Sequence, residues 1–409
     1  MLRPTSPWPL VPQSFESHTN SMGSKVHEDN NNHNVIKAST DKSSVVVVVT
    51  PLALRSNDLL DLIVQFQPGM WRDLRPFRHL ARPSLPPIAT AATHDAFAAI
   101  DVILQPWYAV NGTSRLQPLI RRMPHMLEIL AMHAVYYDLV SVITALQQSK
   151  QLHTHLPLID VAALAGQHAM LCRLVPLFGG TKRALDYAAA NGDLASVTLL
   201  HRQRRDGATK LAMDLAARHG HLHVVRFLHV HRTEGCTHRA LDWAAQRGHV
   251  HVVQFLHAHR AEGCSHYAMD FAAQSGHLDV VEFLHRHRDE GGTDVALDMA
   301  ARYGHLHVVQ FLHAHRTEGC TRRAMEWAAR NGHVHVVAWL HVHRTEGCTK
   351  RALDTAAKQG HMHVVRWLCD HRTEGCEKSA LELAVKFGHN DVAAYLQRRR
   401  RRSSPGDVD

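Results

Sequence analysis

The sequence predicts an all-α solenoid, and three observations carry that prediction. Glycine returns every 28 residues, at Gly192, Gly220, Gly248, Gly276, Gly304, Gly332, Gly360 and Gly388. Each interval holds two short segments with apolar residues at helical spacing, and none holds the alternating run of a strand. Two helices of about ten residues, roughly 15 Å each, are marginal alone in water and cannot bury both faces of their pair. Such units are stable only when stacked on neighbours, so a repeat of this length marks an array.

In chain order, residues 1–55 are of a different material. Pro-rich MLRPTSPWPLVP, Ser/Asn/His-rich SHTNSMGSKVHEDNNNHN and the run Val45–Val49 cannot bury a core and are expected to be disordered. The valines fall far short of a membrane span, which needs about 20 apolar residues. No secretory signal pattern opens the chain, so an intracellular location is expected.

Residues 56–123 are expected to form a helical cap on the array. NDLLDLIVQF places Leu59, Leu60, Ile63 and Val64 on one helix face, and IATAATHDAFAAIDVIL, about 88–104, reads as a degenerate repeat. The first segment resembles the opening of an F-box, an adaptor motif that recruits ubiquitin ligases.

The array is expected over 124–402, beginning raggedly. LEILAMHAVYYDLVSVITAL has the outline of a unit, with Tyr137 near the glycine position, and LIDVAALAGQHAMLCRLVPL follows with Gly166. With the eight regular glycines this makes about ten units. In the unit Thr237–Cys264, Thr237 reads as an N-cap for RALDWAAQR, whose Leu241, Ala244 and Ala245 share one face. Gly248 closes that helix with positive φ. HVHVVQFLHAH groups Val252, Val253, Phe255 and Leu256, and polar RAEGC turns the chain back. Arg398–Arg402 and a polar tail, 403–409, complete the sequence.

The pattern A-L-D-W-A-A-x-x-G-H-x-x-V-V-x-F-L resembles the ankyrin repeat, whose usual form is T-P-L-H-x-A-A-x-x-G-H-L-x-V-V-x-L-L. Two departures stand out. The period is 28 rather than 33, the shortfall lying in the loop that forms the family's β-hairpin finger, so a helical stack without fingers is expected. An acidic residue replaces the T-P-L-H histidine: Asp186, Asp214, Asp242, Asp270, Asp298, Glu326, Asp354 and Glu382. What the resemblance implies is protein–protein interaction without catalysis.

The acidic column reads as structural, each carboxylate accepting from donors at the neighbouring unit's turn. Most of the 37 histidines stand in columns too. They lack the convergent spacing of a metal site, so no metal, cofactor or catalytic residue is assigned. They suit turn and helix-end positions, and if held neutral they would make stability fall on acidification. The seven cysteines include no C-x-x-C and five share one loop position, as free thiols in a reducing compartment would.

Cations in the first turn of helix 1, such as Arg183, Arg239, Arg323 and Arg351, oppose the helix dipole, so helix stability does not explain them. At the far end of helix 1 the residues vary from unit to unit. Arg218, Arg247, Arg302, Tyr303, Arg330, Asn331 and Lys358 are the candidate binding residues. With a net charge of +9, an acidic protein is the expected partner of a monomeric scaffold. Two other readings stand beside it: a ubiquitin-ligase adaptor through residues 56–80, and a binder of nucleic acid or anionic lipid. Arg398–Arg402 would serve as a nuclear address, otherwise the cytoplasm is expected.

Overall fold

The computed structural model describes residues 34–40, 43–49, 72–150, 152, 155–203, 207–375 and 377–403. The chain divides into two compact units, Met1–Arg75 and Pro76–Asp409. In the first, Asn34–Thr40 (β1) pairs antiparallel with Ser43–Val49 (β2), Thr40 lying opposite Ser43. This departs from the expectation of disorder over 1–55. The valine run is β-branched throughout, and Val35 and Ile36 give it a partner of the same propensity. The F-box-like stretch, residues 57–66, lies outside the described residues.

The second unit is helical. A long helix, Ala91–Asn111 (α1), and a short one, Leu116–Arg122 (α2), precede the array. The stretch read as a degenerate repeat is thus one continuous helix rather than a hairpin. Phe97 of α1 stacks on Tyr136 of the first repeat with ring centroids 4.0 Å apart.

Ten helix pairs follow among the described residues. The first three are Met126–Tyr136 with Val140–Gln148 (α3, α4), Leu158–Leu164 with His168–Leu174 (α5, α6), and Lys182–Ala190 with Leu194–Gln203 (α7, α8). Next come Lys210–Arg218 with Leu222–His231 (α9, α10), His238–Gln246 with Val250–His259 (α11, α12), and Tyr267–Ser275 with Leu278–His287 (α13, α14). Asp294–Arg302 with Leu306–His315 (α15, α16) and Arg322–Arg330 with Val334–His343 (α17, α18) continue the stack. Arg351–Lys358 with Met362–His371 (α19, α20) and Glu377–Lys386 with Asn390–Ser403 (α21, α22) end it. Odd-numbered helices from α3 onward are the first of each pair. No strand occurs among the described residues of the array, so the finger is absent as expected.

Packing follows from side-chain size. The alanine pairs of the first helices, Ala244 and Ala245 among them, are wholly buried and let these helices approach closely. Val252, Val253 and Leu256 of the second helix complete the core. Phe255 is an exception to the sequence reading: it is only half-buried and leaves the core for the outer row described below. The first pair turns on Asp138, with φ 55°, rather than on the neighbouring Tyr137.

Polar bonds fix the register of the stack. Thr237 caps α11, its Oγ1 accepting from the Arg239 N–H at 3.2 Å. The same Thr237 donates its N–H to Asp214 Oδ1 at 2.8 Å and its hydroxyl to Oδ2 at 2.8 Å. This two-point bond recurs from Thr181 on Asp160 to Thr321 on Asp298, while Thr349 donates both bonds to one oxygen of Glu326. Burial raises the Asp270 carboxyl above its ordinary value although both Thr293 bonds pull it down. Asp270→Ala, which orphans the Thr293 donors, is expected to cost about 1–3 kcal/mol in chemical denaturation. An unchanged midpoint would remove the aspartate from the list of structural residues.

Candidate functional site: the first-helix face

A first helix buries its leucine, its aspartate and its alanine pair, which leaves a stripe pointing outward. In α11 this stripe is Arg239, Trp243, Gln246 and, past the helix end, Arg247. Stacking lines the stripes up at the usual interhelical distance of about 8–10 Å. The candidate residues Arg218, Arg302, Arg330 and Lys358 therefore share one row, and Arg247, Tyr303 and Asn331 the adjoining one.

Neighbours in these rows engage one another. Arg218 lies over the ring of Trp243 in the next repeat, 5.3 Å from its centroid, and Arg239 approaches the same ring to 5.9 Å. The arrangement returns three repeats later, with Arg302 at 5.3 Å and Arg323 at 5.8 Å from Trp327. Lys358 stands 4.8 Å from the centroid of Phe387. Each such contact holds a cation in place while its charge stays at the surface. Asn331 Nδ2 donates to the Arg302 carbonyl at 2.6 Å. Arg247 and Arg330 are exposed, and Tyr303 is 44 % exposed with Arg302 5.4 Å from its ring. Between the two Arg–Trp–Arg groups lie Tyr267, 50 % exposed, and Val295, 41 % exposed, over half-buried Phe271 and Met299. The face is therefore basic at two places with an apolar stretch between.

At its N-terminal end this face is already occupied by the protein's own chain. Arg82 pairs with Glu128 of α3 at 2.9 Å. Farther along, the Leu85 carbonyl accepts from Arg183 of α7 at 2.7 Å, and the Pro86 carbonyl accepts from the Tyr187 hydroxyl. Burial pushes the Tyr187 phenol up to about 12, so the proton it donates is firmly held. Arg183 and Tyr187 hold the row positions that Arg239 and Trp243 hold in α11. The segment between them, residues 80–90, has no helix or strand. Nothing in the sequence around ARPSLPPI signals a bond to residues about a hundred positions away.

The histidines are absorbed by the fold. His249, one residue past the glycine, lies against Gly220 of the preceding repeat, and His277 against Gly248. His221 Nε2 donates to the Ala190 carbonyl at 3.1 Å and His389 Nε2 to the Lys358 carbonyl at 2.9 Å. On the second helices, Phe255 stacks on His259 at 4.4 Å and meets His229 of the preceding repeat edge-on at 5.6 Å. Trp339 does the same between His343 and His313. His259 Nδ1 also donates to the Phe255 carbonyl at 2.9 Å, the helix-end role expected of it. Among the described residues, no group of three His, Cys, Asp or Glu side chains could hold a metal ion.

The short loop has its own clasp. Arg260 grips Glu262 two residues on, and Glu262 Oε1 accepts from the Cys236 N–H of the preceding loop at 3.2 Å. Burial alone would raise the Glu262 carboxyl, but the Arg260 and Cys236 bonds outweigh it and bring it down to about 2. The clasp recurs from Arg232–Glu234 to Arg372–Glu374. It stands where a finger would otherwise be, and the repeated R-x-E-G was its unread signal. Burial pushes the Cys236 thiol up to about 12 and those of Cys264 and Cys320 to about 11, so these thiols stay protonated at neutral pH.

A family model described as ankyrin repeats in three copies matches residues 185–270, 213–296, 268–350 and 325–403. Together the matches span more than half of the chain. The chain belongs to the ankyrin repeat family. Its repeats are a short form, with the aspartate-to-threonine bond between neighbours in place of the T-P-L-H histidine. No curated protein matches the chain. Ankyrin repeats make protein–protein interaction modules and are typically non-enzymatic. No helix among the described residues is long and apolar enough to cross a membrane.

Proposed function

We propose that the open length of the first-helix face, from Arg239 to Lys358, binds an extended segment of another protein that carries acidic side chains. The observation behind this reading is the protein's own segment at Leu85 and Pro86, whose carbonyls accept from Arg183 and Tyr187. The face thus holds a helix- and strand-free segment of its own chain at one end, and none of the described residues crosses the same row in the later repeats. The Arg–Trp–Arg groups at Trp243 and Trp327 give it cations held in fixed positions, which favours carboxylates spaced to meet them. The scaffold performs no chemistry in this reading.

The test is binding of acidic and neutral extended peptides to the full-length protein and to a variant with Arg247, Arg302 and Arg330 changed to Glu. Acidic peptides should weaken by about 100-fold or more, as for loss of roughly 3 kcal/mol, while neutral ones change little. Equal affinity of the variant for acidic peptides rules out the proposed face. Binding to DNA that disappears at moderate salt would point to bare charge instead.

A further inference from the structure

A second, separate site lies in the cap, between α1 and the first helix pair. Asp101, Gln105, Tyr108 and Ala109 of α1, with Gly112 and Thr113 after it, face Tyr137, Leu139, Ser141 and Val142 across an open cavity of about 520 Å³. That is the size range of small-ligand sites.

Its lining is unlike the rest of the molecule in charge. The protein carries a net +9, yet the charged group here is a carboxylate. Asp101 Oδ1 is bonded to Nε2 of His133 at 3.0 Å, and His133 is wholly buried. The imidazole donates from Nε2 and so fixes the orientation of the carboxylate. Burial holds the His133 pKa below its ordinary value, against the opposing pull of Asp101. Among the described residues no arginine or lysine pairs with Asp101, whose partner is the neutral His133 ring. The other carboxylate oxygen stays outside this bond.

Aromatic rings complete the site. The Tyr108 and Tyr137 rings flank His133, with centroids 5.8 and 4.8 Å from the imidazole. The Tyr108 hydroxyl is buried without a hydrogen-bond partner, as is His133 Nδ1 behind it. A carboxylate beside aromatic ring faces is the chemistry that receives an organic cation. Leu139, Val142 and Ala109 offer an apolar wall for its alkyl stem.

We propose that this cavity binds a primary alkylammonium group, its N–H donors meeting Asp101 and its stem lying along the wall of Ala109, Leu139 and Val142. The same head group comes from a free amine or from the lysine side chain of a peptide. Calorimetric titration of the full-length protein with n-butylammonium, with a lysine-containing peptide and with butyrate as the anionic control tests it. Saturable binding of the cations and none of butyrate is expected. Asp101→Asn, which still accepts from His133, should weaken cation binding by about tenfold or more. Ala109→Leu, at an exposed position of the wall, should weaken it by filling the cavity. A lysine peptide binding much more tightly than butylammonium identifies a protein side chain as the occupant, and equal affinities identify a free amine. Absence of saturable cation binding, or unchanged binding by Asp101→Asn with an unchanged melting temperature, overturns the proposal.

Discussion

Gly276→Val is expected to destabilise the array by about 3–6 kcal/mol, the largest effect of any single substitution considered. Two separate constraints meet at this residue. Its φ is 80°, a left-handed conformation that a β-branched residue adopts only under strain. A Cβ built there would also lie 2.6 Å from Nδ1 and 2.7 Å from Cε1 of His305 in the next repeat. The ring must move, and it then gives up its bond to the Gln274 carbonyl. Gly388→Val is the matching control. Its φ is 79°, but nothing among the described residues lies within 4 Å of an added Cβ, where Gly276 meets the histidine of the next repeat. Urea denaturation of both variants separates strain from collision. A Gly276→Val loss no larger than that of Gly388→Val would mean that the histidine contact adds nothing.

Acidification is expected to lower the melting temperature between pH 7.5 and pH 5.5 through many small contributions of one sign. Burial lowers the pKa of His221, His249, His305 and His333 beside the glycines, and of His201, His257, His285 and His313 at the ends of the second helices. For the second group, the arginine of the next repeat is a further depressing charge, as Arg232 is for His201. The folded state favours the neutral ring, so stability is complete above the ordinary histidine value of about 6.5. As pH falls through that value the unfolded chain takes up protons first, and stability declines until the folded-state values are reached. The buried aspartates act in the opposite sense. Burial raises Asp186, Asp214, Asp242, Asp270 and Asp298, so the folded state gains protons first as pH falls toward the ordinary carboxylate range. Calorimetric scans across the interval should therefore show a fall that starts near pH 6.5. A melting temperature that holds constant or rises over that interval would exclude neutral histidine as a requirement of the fold.

Much of this architecture could be read from the sequence because the repeat displays its own rules. The cap at Thr237, the turn at Gly248, the alanine contact at Ala244 and Ala245, and the acceptor role of Asp242 all follow from local chemistry repeated at a fixed interval. Contacts between units were harder to read. Arg218 and Arg302 looked like free surface cations because their partners, Trp243 and Trp327, stand 25 residues away and belong to the next repeat. Phe255 shares the helical spacing of Leu256, and only the histidines on either side show why it sits outside the core. The segment at Leu85 and Pro86 was invisible for a different reason, since its bonds are made by backbone carbonyls, which every residue possesses.

The bonds that threonine and histidine side chains donate between regular repeats run in one direction. Threonine caps and histidine rings reach backward onto the aspartate, glycine and carbonyl of the unit before, so each unit is finished by the one after it. At the trailing edge this help gives out: Glu377 stands where a threonine would, and Asp354 keeps one buried oxygen without a donor. Arg399 supplies a substitute closure, binding Glu377 at 2.9 Å and Asp370 at 2.5 Å from the last helix. The two described ends of the stack are consequently unequal, and Arg399 serves as a clamp where the threonine bond is missing.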